Sequence, residues 1–442
     1  MAFIPDGSCG LADFRLQARH IKYWTRCLKT YLPHQYTSND SNRMYLAFFI
    51  IAALDLLDAL QRVSTQDERQ DYTNWIYHCQ HPGGGFRMWP GTDFGDRANN
   101  ENAQYDPANV PATYFALASL LALGDDMSRV NRRETLEWLA RMQRSNGSFG
   151  ETLVNGRLEG GVDPRFGYCA AGIRYILRGD SMGRLLLDGH VVDDVDIDKF
   201  VRFVNAAEVS LLACICGPGL TAIQAYDGGI ADEPFHEPHA GYTFCSLGAV
   251  AFFNRITTSP PVSDLPTAPS NTAAVLGWLV SRQTELAAQE DAMGPGPALQ
   301  AHVSADGKAA LQIGDVPTHQ SPDKSIISFM SMDPTCAGMN GRINKNADTC
   351  YAFWVSASLH LLDQPSLCDQ AAVVSYLLQK TQHPILGGFG KFPGDLPDLY
   401  HSYLGLAALS LNGGSDVAEL DAGMCLSKRA HARLPGLWQG FM

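Results

Sequence analysis

The residues best suited to chemistry in this 442-residue chain lie together in Cys336-Ala-Gly-Met-Asn-Gly-Arg-Ile-Asn-Lys-Asn-Ala-Asp348-Thr-Cys350-Tyr351-Ala-Phe-Trp354. A glycine-bearing loop carries two cations, Arg342 and Lys345, and an acid and a thiol follow two residues apart. Apolar residues from Val355 to Leu362 continue the stretch as a helix. Asp348 therefore falls where an N-cap belongs, and its carboxylate and the Cys350 sulfur converge on one first turn. A carboxylate and a thiolate that close repel unless a cation lies between them, and zinc accepts both. Asp398-Leu-Tyr400-His401 opens a second helix with the same layout and puts an imidazole at its first turn. Asp348, Cys350 and His401 would supply three protein ligands and leave a fourth position open, the pattern of a catalytic zinc rather than a structural one. Spacing alone leaves the plainer alternative standing, in which Cys350 is a small buried hydrophobe, Asp348 an ordinary cap and His401 a satisfied core histidine.

These residues need helices to hold them. Glycine loops recur along the chain, at Pro82–Phe86, Ser145–Phe149, Tyr226–Ile230, Gly338–Gly341 and Leu386–Phe389. Between them, apolar residues recur at helical spacing over Thr113–Leu123, Glu134–Met142, Tyr168–Ile176, Tyr242–Phe253, Ala273–Leu279 and Tyr400–Leu411. No stretch alternates as a strand would. The pattern predicts an all-α chain of about twelve helices in six pairs, either an open solenoid or a closed ring of hairpins. From about Ala287 to Pro334 the composition shifts to Ala, Gly, Pro, Ser and Asp with few aromatics. That stretch is expected to be a disordered insertion in a connecting loop. A Pro/Ser/Thr patch at Thr257–Asn271 reads as a second loop.

Composition narrows the partners. A net charge of −13 argues against a nucleic-acid or anionic-membrane surface, so an anionic ligand needs a local cationic cluster. Eleven cysteines are scattered without an even framework and no signal peptide is evident, which predicts reduced thiols and a cytoplasmic protein. Cys214-Ile-Cys216 reads as core. The longest apolar run, Leu46–Leu60, is broken by Asp55 and Asp58 too soon to span a membrane.

Gly-Arg-Ile-Asn-Lys-Asn-Ala-Asp-Thr-Cys-Tyr-Ala-Phe-Trp, residues 341–354, resembles the zinc-site segment of protein prenyltransferase β subunits, and within that family the type I geranylgeranyl branch most. Arg19–Trp24, Tyr31–Ser38, Ser41–Phe49, Pro111–Tyr114 and Leu123–Asn131 resemble it too, so the likeness runs along nearly the whole chain in order. Because it lies on both sides of the insertion, residues 1–442 are read as one domain. The resemblance implies a closed α/α barrel and one zinc held by Asp348, Cys350 and His401. It also implies an isoprenoid diphosphate site made by His239, Arg342, Lys345 and Tyr351, with Gly241 allowing close backbone approach. By spacing, His236 and His239 also suggest a metal pair; the resemblance favours diphosphate for His239 and no role for His236. Arg165 and Tyr168 match positions that face the tail of a protein substrate, although Arg165 would equally pair with Asp163 at a helix start. Tyr242, Phe353 and Trp354 are expected to wall an apolar cavity, with simple core packing as the alternative for each.

The same resemblance implies transfer of geranylgeranyl from its diphosphate to the cysteine of a C-terminal CaaX box, X typically Leu, on proteins such as small GTPases of the Rho class. It implies a heterodimer with an all-helical α subunit, without which this chain is inactive. Lys391 stands where farnesyl enzymes resemble this segment but carry an Asp that holds magnesium, so no magnesium requirement is expected. Tyr45 departs from the branch, which has a small residue there, and by its bulk points to a shorter lipid. Leu404 replaces an aromatic and is expected to return that space. The alternatives are a farnesyl β subunit and a non-catalytic helical scaffold with structural zinc, which would need a fourth protein ligand. A Rab-type β subunit fits the N-terminal region less well. A terpene cyclase would need a DxDD or DDxxD motif; Asp193-Asp-Val-Asp-Ile-Asp198 fits neither and reads as a solvated loop or helix start.

Overall fold

A helix that is apolar on every side has no face to give to water and must be enclosed. The computed structural model describes residues 9–441 apart from 31, 34–35, 37–38, 182, 209–227, 256–267, 286–301, 304–308, 311–334 and 415. Among these residues, twelve helices alternate between an outer and an inner position: α1 (Cys9–Lys29), α2 (Arg43–Leu56), α3 (Gln66–His78), α4 (Val110–Leu123), α5 (Arg132–Arg141), α6 (Pro164–Arg178), α7 (Ile197–Ala207), α8 (Ala240–Asn254), α9 (Thr272–Val280), α10 (Thr349–Leu361), α11 (Gln370–Tyr376) and α12 (Leu399–Leu411). Short turns at Leu60–Val63, Lys428–His431 and Leu434–Gly440 accompany them. The even-numbered helices are the enclosed ones. Each packs on the next, and α12 packs back on α2, so six hairpins close into a ring. The closed α/α barrel is thus the observed fold, and the open solenoid is excluded.

Enclosure is near complete. Eleven of the fourteen residues of α2 are buried, each large one contributing roughly 1.5–3 kcal/mol. The charge that interrupts its apolar run, Asp55, is 3% exposed and is neutralised by Arg429 at 2.7 Å. The outer helices carry the polar surface and their own start signals: Thr65 caps α3 by accepting from the Glu68 N–H at 3.1 Å, and the Glu68 carboxylate accepts from the Thr65 N–H at 2.8 Å.

Three of the glycine loops pin an inner helix in the same way. The N–H groups of Phe86, Ile230 and Phe389 donate to the hydroxyls of Thr113, Thr243 and Ser402, early in α4, α8 and α12, at 2.8, 3.1 and 2.9 Å. The last loop also closes the outer layer. Gly387, at φ +74, sits where a Cβ would lie 2.5 Å from the Arg19 carbonyl oxygen of α1, so only glycine fits. Beside it the buried His20 of α1 accepts the Gly388 N–H through Nδ1 at 3.0 Å and stacks on Phe389 at 5.0 Å. With Nδ1 accepting, Nε2 carries the proton and faces the Gln382 amide at 2.7 Å.

Three expectations change or fall outside view. Asp194 is not solvated: it holds the buried Arg174 and Arg178 of α6 at 2.7 and 3.1 Å, while Asp196 does cap α7. Of the insertion from about Ala287 to Pro334, only the paired segments His302–Val303 and Ala309–Ala310 belong to the described residues. Cys214 and Cys216 lie outside them. No helix of the described residues is long and apolar enough to cross a membrane.

Burial pushes the His20 imidazole down to about 4. The folded state therefore holds it neutral while the unfolded chain takes up a proton near 6.5, and stability is lost as pH falls from 6.5 toward 4, by roughly 3 kcal/mol at full extent. Urea unfolding of the chain at pH 7 and pH 5 should show this loss, and His20→Gln should make it smaller.

Candidate metal centre and apolar cavity

The starts of the inner helices bring polar groups to a barrel that is otherwise apolar. A helix leaves its first N–H groups without internal partners, and here side chains take them up. Asn109 accepts from Ala112 N–H at 2.9 Å, Asp163 from Arg165 at 3.1 Å, His239 from Gly241 at 3.0 Å, Asp348 from Cys350 at 2.7 Å and Asp398 from His401 at 2.8 Å. Each such cap is worth about 1 kcal/mol.

Two of these starts, on α10 and α12, make a metal-ligating group. One ligand atom from each of Asp348, Cys350 and His401 lies within 4.8 Å of the other two. His401 Nε2 is 3.6 Å from Asp348 Oδ1. His401 Nδ1–H donates to Asp398 Oδ2 at 2.6 Å, which fixes the tautomer and turns the Nε2 lone pair toward Asp348 and Cys350. The Tyr36 hydroxyl donates to the other Asp398 oxygen at 3.4 Å. Burial and then the Asp348 charge push the Cys350 thiol well above its ordinary range, so without a cation it stays protonated. A buried oxygen, sulfur and nitrogen donor converging on one point fit a divalent metal of borderline softness. No fourth protein ligand stands in the group among the described residues.

Beside it runs a wall of cations and phenols. Arg342 is half exposed and ion-paired with Glu237 at 3.0 Å. Lys345 and Lys391 are exposed, and the Lys391 carbonyl accepts the Thr349 N–H at 3.1 Å, tying its loop to the start of α10. Because His239 Nδ1 accepts from Gly241, its Nε2–H donates to the Tyr351 hydroxyl at 2.9 Å. A Cβ at Gly241 would come 3.1 Å from His239 Nδ1, so glycine keeps this corner open. Burial, with Arg342 and Arg165 nearby, pushes His239 down to about 4. Arg165 pairs with Asp163 at the helix start, through two hydrogen bonds of 2.9 and 3.1 Å, and also lines the cavity, its guanidinium 5.6 Å from the Tyr242 ring.

The barrel encloses a cavity of about 590 Å³. Tyr45, Phe49, Phe115, Tyr168, Tyr242, Phe244, Trp354, Tyr400 and Leu404 wall it, with His239, Gly241 and Arg165 among the polar lining. Tyr400 joins cavity to metal group: it accepts from the Trp354 indole at 3.3 Å and hydrogen-bonds with the Cys350 thiol. Three more thiols, Cys169, Cys245 and Cys425, line the cavity. Burial raises all three, Cys425 to about 12.

The model of the prenyltransferase alpha-alpha toroid domain matches residues 16–426. The chain belongs to this prenyltransferase family. It is similar to the geranylgeranyl transferase type-1 subunit beta of Arabidopsis thaliana, at 29% identity over 92% of this chain and 87% of that protein. It is similar to the same subunit of Dictyostelium discoideum at 26%, over 92% and 94%. The protein farnesyltransferase subunit beta of Schizosaccharomyces pombe is 25% identical over 90% of this chain and 78% of its own length. The structure is similar to Candida albicans protein geranylgeranyltransferase-I complexed with GGPP, with a TM-score of 0.68 and 25% identity, covering 96% of this chain and 98% of that one.

In this prenyltransferase toroid the expected residues fall into three groups. Asp348, Cys350 and His401 come together, and His239, Gly241, Tyr242, Arg165, Tyr168, Trp354, Tyr45 and Leu404 line the cavity. Arg342, Tyr351 and Lys391 stand near the metal group, outside the cavity lining, and Lys345 is exposed on the loop that carries Arg342. Phe353 is a correction: one residue from Trp354, it is fully buried, packed against Phe244 at 5.1 Å rather than lining the cavity. His236 pairs with Asp232 at 3.0 Å on the surface. Sequence reading missed Asp398 as the partner of His401, Glu237 as the partner of Arg342, and Tyr400. For Asp398 the Asp-x-x-His spacing was a usable signal.

A cation beside His239 opposes its protonation, so removing one should raise its pKa. Histidine-labelled NMR titration should place His239 near 4 in the wild type, with a higher midpoint in Arg342→Ala. An unchanged midpoint would mean the guanidinium does not face the imidazole in solution.

Proposed function

We propose that this chain is the catalytic β subunit of a protein geranylgeranyltransferase type I, joining a geranylgeranyl group to the cysteine of a C-terminal CaaX box. The observation that carries this is the metal-ligating group at helix starts, one phenol away from an enclosed apolar cavity and beside the cations Arg342, Lys345 and Lys391. The two type-1 β relatives and the fold neighbour support the same reaction. A cavity of this kind takes a lipid, the cations suit its diphosphate, and the metal group suits a thiol. None of the eight cysteines whose side chains are described is in a disulfide, which agrees with a reducing cytoplasm.

The chain's own residues divide the work. Zinc bound by Asp348, Cys350 and His401 would lower the pKa of a substrate thiol, so that a thiolate exists at neutral pH. Asp398 holds His401 in the ligating tautomer. Phenyl and indole faces exclude water from the lipid and leave its first carbon at the mouth. As the sulfur–carbon bond forms and the carbon–oxygen bond breaks, negative charge grows on the departing diphosphate. Arg342, Lys345 and Lys391 offset that charge, and the Tyr351 hydroxyl, with its oxygen engaged by His239, is free to donate to it. Glu237 must release Arg342 first. Lys391 supplies fixed charge of the kind magnesium gives elsewhere, so we expect no magnesium requirement. Arg165 would meet the carboxylate end of a peptide, directly or through water. Completion by an α subunit and CaaX substrates of the Rho class belong to the same proposal.

Tyr45 favours a second reading, a farnesyl enzyme, because its ring stands in the cavity wall against Phe49 at 5.5 Å. Leu404 lines the same cavity with a side chain smaller than an aromatic, and we take the longer lipid to pass there. The chain co-expressed with an α partner should give a higher kcat/KM with geranylgeranyl than with farnesyl diphosphate, and Leu404→Tyr should move the preference toward farnesyl. A wild type that prefers farnesyl diphosphate would select the second reading.

Cys350→Ala should purify folded but without zinc, and should lose activity, because it removes one of three ligands and little packing. Elemental analysis against the wild type checks this; full metal content in the variant would refute the ligand set.

A further inference from the structure

Away from the metal group, the cavity meets a segment that belongs to no inner helix. Strands Leu420–Asp421 and Leu426–Ser427 pair antiparallel and fold the chain back under the barrel. The Leu420 N–H donates to Ser410 at 2.9 Å, nine residues along α12 from His401, or about 13 Å by helix rise. From this segment Cys425 lines the cavity.

The segment is held from three sides. Tyr114 of α4 donates to the Met424 carbonyl at 2.7 Å, Tyr168 of α6 to the Gly423 carbonyl at 2.8 Å, and Tyr403 of α12 to the Cys425 carbonyl. Three consecutive buried carbonyls are thereby satisfied by three phenols. From below, Asp421 accepts the Met424 N–H at 2.9 Å and is itself gripped by Arg255 and His431, each at 2.9 Å. Such a floor cannot retreat to admit a longer ligand. The walls, by contrast, end in side chains such as Leu404 that can change rotamer.

We propose that Cys425 sets the depth of the cavity, so that the last isoprene unit lies against its side chain and lipid length is read at this floor as well as at Tyr45 and Leu404. The inference rests on the lipid-transfer reading. A small residue at a fixed floor leaves length open, and a larger one subtracts it. Tyr114 and Tyr168 also face the cavity, so they act as positioning residues that fix the floor.

The test uses the heterodimer with Cys425→Ala, Cys425→Leu and Cys425→Phe, read as kcat/KM for the 20-carbon and 15-carbon diphosphates and as zinc content. The ratio of 20-carbon to 15-carbon activity should fall in the order of side-chain size, roughly tenfold to a hundredfold at Phe, as expected for steric discrimination in an apolar pocket. The 15-carbon activity and the zinc content should be kept. Cys425→Leu carries the test if the Phe variant fails to fold. An unchanged ratio, or equal losses with both donors, overturns the proposal. A wild type inactive with both donors would overturn the transfer reading itself, a different result from either.

Discussion

Six enclosed helices leave backbone N–H groups unpaired at their starts, and the whole molecule follows from how those ends are satisfied. Four unpaired N–H groups at a buried helix start are costly. Asp163, His239, Asp348 and Asp398 each take one up. The same residues then stand beside the cavity or the metal group, so the caps that stabilise the ring also furnish its chemistry. His401 and Cys350 ride in the first turns those caps begin. A change at Asp348 or Asp398 therefore disturbs a helix start and a ligand set together.

Charge at this mouth is local and balanced against an acidic whole. The chain carries a net charge of −13, yet Arg342, Lys345 and Lys391 gather near one helix start. Arg342 does not stand bare: Glu237 neutralises it. The exchange of a carboxylate for a more highly charged ligand keeps the cation occupied in both states. His239, held neutral by burial and its cationic neighbours, adds a hydrogen-bond donor without adding charge. Its proton goes to Tyr351, so the phenol can pass its own to a ligand.

What could be read in the sequence was local. Asp348 and Cys350 lie two residues apart at a helix start, and capping rules alone place them side by side. His401 needed the additional knowledge that α10 and α12 are neighbours, which its own helix-start pattern suggested and family likeness supplied. Closure of the ring was not legible, because it depends on contact between α12 and α2 at opposite ends of the chain. Phe353 and Trp354 could not be told apart by composition: a helix turns about 100° per residue, and that rotation puts one in the core and the other on the cavity. Asp194 looked solvated within an acidic run, since its partners Arg174 and Arg178 lie back in α6. The tyrosine-held floor was invisible for the same reason, Tyr114 and Tyr168 lying 310 and 255 residues from the carbonyls they hold.

The cavity that would hold an activated allylic lipid is lined by Cys169, Cys245 and Cys425. An allylic diphosphate is an alkylating agent, and a thiolate beside it would become its victim. Burial holds all three sulfurs in the protonated form, and outweighs the Arg165 charge that favours the thiolates of Cys169 and Cys245. The barrel is thus a container chemically inert toward its own cargo, in which self-inactivation is suppressed by the same dryness that keeps the lipid in. Selectivity among sulfurs then needs no steric guard, because a thiol in that oil-lined interior is mute and one presented at a metal held by Asp348, Cys350 and His401 would not be.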